Sequence, residues 1–247
     1  MRDPDQLISL PSIVEGRKDV IKIDSVPEYD IENWNFNNPK DFKAYIKVVE
    51  RSIRSSFEYR NFISYVREYG NMDHCAILPR VNNDETFKIH IEIHHEPFTL
   101  YDIVMAVLRK RMAMREDLNE YMVAKEVMYY HYRGYVGLIP LCETVHELVH
   151  NMFIFIPCNI VFGRWDEFRK HYESFIEPDT LVILDKIEKL SKNYDLKVVR
   201  NILDPYIVEL EQPNNPDKGE ILEFVKNKLN EYNASLVAYI RGGYIQW

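Results

Sequence analysis

A chain of 247 residues, 46% hydrophobic and 28% charged, is long enough to bury a sizeable core as one large domain or two modest ones. Its net charge of −8 excludes a protein that coats nucleic acid through an overall basic surface, though not one with a local basic groove. Three cysteines without CxxC spacing (Cys75, Cys142, Cys158) give no disulfide framework and fit a reducing interior. No stretch approaches the roughly 18 uninterrupted apolar residues of a membrane span, and MRDPDQLISLPS lacks the pattern of a secretory signal. An intracellular location without membrane contact is expected: host cytoplasm, or the virion if the chain is phage-encoded.

Residues 1–35, with Pro4, Pro11 and Pro27, read as an extended N-terminal arm in which IKIDSV is one short strand. From Asn38 to Gly70 the apolar residues Phe42, Tyr45, Ile46, Val49 and Ile53 recur at helical spacing. CAILPRV and TFKIHIEIHH read as two strands joined by NNDE. In the second, Phe87, Ile89, Ile91 and Ile93 alternate with Lys88, His90, Glu92 and His94, so one face is apolar and the other polar.

Thr99 and Asp102 have capping-box spacing ahead of the stripe Leu100, Ile103, Val104, Val107 and Leu108. A further helix is expected from near Asp117, then a short strand in YVGLIPLC and a short helix in CETVHELVHNMFIF between Pro140 and Pro157. Residues 165–247 read as mainly helical, closing on a strand-like SLVAYIRGGYIQW, with the boundary near residue 165 and residues 36–164 ahead of it.

Four of the eight histidines fall in two spots. His146 and His150 are four apart in HELVHN, on one face of a helix, where two imidazoles can grip one ion. His94 and His95 close the upstream strand. HELVH by itself matches the zincin pattern, with Glu147 as general base, but Pro140 leaves little helix ahead of it and no metzincin third ligand follows.

Together, IEIHHEPFTL and GLIPLCETVHELVHN resemble the HNH (His-Me finger) endonuclease superfamily, in a divergent form of the kind phages carry. The resemblance implies an α+β fold with a central ββα-metal module, a helical insertion from Thr99 to about residue 133, and a mainly helical C-terminal region. It implies metal-dependent hydrolysis of phosphodiester bonds in DNA. His95 would be the general base, and His94, His146 and His150 would hold one divalent ion. Three imidazoles favour zinc. Arg109, Lys110, Arg111 and Arg115 would contact phosphate; their other reading is a solvated helical face.

The family's base-orienting Asn has no counterpart in HYRGYVGLIP; Gly137 stands near its place, with His131 or Tyr135 as substitutes. Strand alternation also sends His94 and His95 to opposite faces unless the chain bends near Pro97. Three other readings stay open. One is a non-catalytic phage protein that keeps the site as structural zinc and meets a partner, or another copy of itself, through its C-terminal helices. Another is a zinc protease using Glu147. In the last, His94, His146 and His150 bind no metal and are core or surface histidines, since HxxxH is common on helices. His74, beside Asp73, reads as a turn residue, and Cys142 as core in preference to a ligand.

Overall fold

Asn38 and Pro39 start the first helix of the computed structural model, which describes residues 34–82, 89–116, 118–212 and 214–241, with side chains to residue 234. The Asn38 side chain accepts from Lys40 N, and the fixed φ of Pro39 suits a first helical position. The arm at residues 1–33, the IKIDSV strand, most of NNDE and residues 242–247 lie outside the described residues.

The expected long helix is two: α1, Pro39–Ser55, and α2, Phe57–Tyr69. Ser56 between them is extended, and its hydroxyl accepts from Tyr59 N, so one residue ends the first helix and caps the second. CAILPRV forms no strand. Cys75 N and Val81 O bond across a tight loop that an isolated bridge between His74 and Asn82 closes. Its apolar side chains, Cys75, Ile77 and Leu78, are fully buried all the same.

β1 (Ile91–His95) precedes α3 (Leu100–Met114), where the capping box of Thr99 and Asp102 is complete. α4 runs Glu120–Tyr132 under an Asn119 cap, three residues later than the sequence predicts. β2 (Leu138–Cys142) pairs antiparallel with β1 and leads directly into α5 (Glu143–His150). Beyond it lie α6 (Trp165–Tyr172), α7 (Pro178–Ser191), α8 (Leu196–Leu203), α9 (Ile207–Glu211) and α10 (Lys218–Arg241). SLVAYI, expected as a strand, continues α10 instead. Once a helix is propagating, each added residue gains a backbone bond, and that outweighs a local β preference. The fold is α+β and mostly helical, and among the described residues β1 and β2 form a two-stranded sheet.

Two compact units share the chain. The first comprises residues up to Asn71, His95–Leu138 and Val161–Asp185; the second comprises Met72–His94, Ile139–Ile160 and residues from Lys186 on. Tyr45, Ile46, Val49 and Ile53 of α1 and Ile103, Val104, Val107 and Leu108 of α3 build the first core with Val123 and Val127 of α4. In the second, Ile139 and Leu141 of β2 and Val145 and Leu148 of α5 are buried, as are Val199, Leu203, Leu210, Val225 and Leu229 of the C-terminal helices. Arg200 of α8 ties the 75–81 loop down by donating to Ile77 O at 2.6 Å.

Candidate metal centre

β1 alternates as its pattern demands. Ile91 and His95 are buried on one side, while Glu92 and His94 face the other. The chain passes from the second unit to the first between His94 and His95, so the two adjacent imidazoles belong to different surroundings.

His94, His146 and His150 all lie in the second unit, and their ligand atoms fall within 4.8 Å of one another. His146 Nε2 is 3.0 Å from His94 Nδ1 and 3.1 Å from His150 Nε2. On its other edge, His146 Nδ1 is 2.6 Å from Glu92 Oε2. A carboxylate only accepts, so Nδ1 carries a proton, and Nε2 is the atom of the ring that can offer an in-plane lone pair to a metal. Two neighbouring imidazoles cannot both donate well to a single lone pair. A cation among the three satisfies them all. Tetrahedral zinc with bonds of about 2.05 Å would space its nitrogens about 3.3 Å apart, close to the two spacings that His146 makes. His94 and His146 are half-buried and His150 is exposed, which leaves a fourth position open outward.

α5 can carry two of these ligands because Thr144, Val145 and Leu148 anchor its other side. Cys142, at its N-cap, makes no side-chain cap bond. Glu211, at the end of α9, does this instead: its buried carboxylate accepts from Thr144 N at 2.9 Å, where the helix dipole also favours negative charge. At the other end Asn151 Nδ2 donates to Glu147 O, and Met152 takes a positive φ of 63° as the chain turns away. Glu147 itself is exposed, and the trio's third member is His94 and not a carboxylate. Cys142 is buried against Cys75 and stands outside the trio.

His95 sits in the first unit, 4% exposed, with Nε2 2.9 Å from Nε2 of His131. His131 Nδ1 must donate to Val127 O at 2.8 Å, so its Nε2 accepts and His95 Nε2 donates. Tyr59 stacks on His95, and Phe62 meets His131 edge-on. Burial pushes the His131 imidazole down to about 4. His131 is thus the residue that orients His95, whereas Tyr135 lies under Arg164 and beside His171. Gly137 shows why no asparagine stands there. A Cβ on it would come 1.8 Å from the Glu96 carbonyl oxygen. His74 pairs with Asp73 at 3.0 Å beside the 75–81 loop.

The basic run of α3 is paired internally. Arg109 meets Glu177, Lys110 reaches Glu116 and Glu126, and the buried Arg111 reaches Glu126, which also accepts from Tyr172. Arg115 ends the helix in a left-handed conformation and is exposed.

A family model described as bacteriophage G278-like virion protein matches residues 13–235, most of the chain. The chain belongs to this family. No curated protein and no solved structure matches it. The phage origin expected from the sequence is thereby supported; membership of the HNH superfamily is not. Among the described residues no helix is long and apolar enough to cross a membrane.

Proposed function

We propose that the chain is a component of the phage particle with a structural or interaction role, and that His94, His146 and His150 hold one zinc ion that stabilises its second unit. Membership of a virion protein family carries this reading. Two observations support a non-catalytic site. His95, the residue that would act as base, is buried against His131, and a general base must reach the water it deprotonates. Three of the four basic residues expected to meet phosphate already face carboxylates. The bound ion would cross-link β1 to α5 and contribute directly to folding free energy.

The decisive experiment joins three measurements on the purified chain and the purified phage particle. Mass spectrometry should find the chain in the particle, metal analysis should find about one zinc per chain, and a supercoiled plasmid should stay intact with magnesium, manganese, nickel or zinc. Nicking that His146→Ala abolishes would overturn this reading in favour of an HNH-type endonuclease. That second reading draws on one feature: two antiparallel strands followed by a helix, with histidines at the end of the first strand and along the helix.

A further inference from the structure

We propose that Glu92 is the positioning residue of the metal centre, fixing His146 so that its Nε2 lone pair is turned to the ion. The inference rests on the reading that the three histidines bind zinc, and goes beyond it by assigning a role to a residue outside the ligand set.

The placement follows from strand geometry. Glu92 and His94 are two apart on β1 and share its polar face, so one short strand supplies both a ligand and the carboxylate that orients another. The 2.6 Å contact from Glu92 Oε2 to His146 Nδ1 is in the range of a charge-assisted hydrogen bond. It has two effects. It keeps the proton on Nδ1, which leaves Nε2 bare towards His94 and His150, and it stops the ring from turning over and exchanging its edges. A carboxylate behind an imidazole also makes the far nitrogen a better donor to a metal.

Glu92 is not the fourth ligand in this arrangement. Its carboxylate lies on the Nδ1 edge of His146, and the converging nitrogens lie on the Nε2 edge. The fourth position stays available to water or to an outside donor. Glu92 is also about half exposed, with a side-chain exposure of 48%, so its removal leaves no buried gap.

The test uses the full chain stripped of metal and titrated with zinc against a chromophoric chelator, with cobalt absorption as a second readout. Glu92→Ala should weaken zinc binding about 10- to 100-fold, with stoichiometry held at one and the melting temperature of the metal-free protein unchanged. Glu92→Gln, whose amide oxygen can still accept from Nδ1, should lose less than Glu92→Ala. His146→Ala, which removes a ligand, should lose far more than either.

Zinc affinity in Glu92→Ala within twofold of the parent would overturn the assignment while leaving the metal reading intact. An equal drop in metal-free stability would make Glu92 a structural residue instead. A loss matching that of His146→Ala would make it a ligand. A parent chain that binds no zinc would remove the metal reading and this assignment together.

Discussion

The chain's two histidine clusters start from neighbouring residues and end as opposites. His94, His146 and His150 gather with one member exposed, a carboxylate behind one ring, and more nitrogens than one lone pair can serve. His95 and His131 close on each other in the apolar interior of the first unit, where each nitrogen of His131 has one partner of the right kind. Three imidazole nitrogens gathered at one point can take a cation between them. A satisfied pair marks a packed core. Residue type is the same in both; exposure, the neighbouring carboxylate and the balance of donors against acceptors separate them.

The largest effect that would sharpen this contrast is on metal affinity. His146→Ala should lower zinc affinity by at least about 1,000-fold in chelator competition, because two imidazoles hold the ion far less well than three. In the parent chain, zinc at 100 times its dissociation constant should add about 2.7 kcal/mol of stability, and the variant should show no such gain. Equal melting curves with and without zinc in the parent would erase the distinction between the clusters.

His131→Ala should act on the other side. It leaves the His95 N–H buried without its acceptor and opens a gap, at a cost of about 3 kcal/mol in urea denaturation. Zinc stoichiometry should not change. A variant that unfolds normally but binds no zinc would show that the two clusters are not separate devices.

Acid should distinguish them as well. His131 is held neutral by burial, with its folded value pushed down to about 4 against 6.5 for the free side chain. Between those values the unfolded chain takes up the proton more readily, so this contribution is complete above about pH 6.5 and falls away as the pH drops towards 4. The total is on the order of 3 kcal/mol. Denaturation across that window should be flatter in His131→Ala than in the parent; parallel curves would refute the buried-neutral assignment.

The smallest effect concerns the cap. Glu211→Ala should reduce stability by about 1 kcal/mol and weaken zinc only a few-fold, as read by chelator competition. A loss of zinc affinity as large as that of His146→Ala would mean that α5 does not form without its carboxylate.

Much of the trio was legible in the residues. The i, i+4 pair of HELVHN, the proline-bounded helix and the strand ending at His94 each follow from period and punctuation, and the capping box of α3 appears where Thr99 and Asp102 predict it. What was not legible depends on tertiary contact. Ser56 looks like any helical serine until its ψ turns extended, and the apolar run of CAILPRV is buried by neighbours and not by strand pairing. Glu211 is 67 residues from Thr144, whose N–H it caps, so no local signal links the two. His131 could be named only as a possible substitute for the absent asparagine. Glu92 was visible as part of the polar strand face, but its tie to His146 required the fold.

The Glu211 cap also makes the site mechanically addressable. The carboxylate that holds the first turn of α5 comes from α9, so if the trio binds zinc as proposed, metal ligation and the placement of that C-terminal helix are halves of one thermodynamic cycle. A binding event that drew α9 away from Thr144 would then loosen the grip on the ion. By reciprocity a bound ion would resist that event by the same free energy. In a particle assembled from many proteins, such a linkage would let metal loading report on whether the C-terminal helices have been engaged.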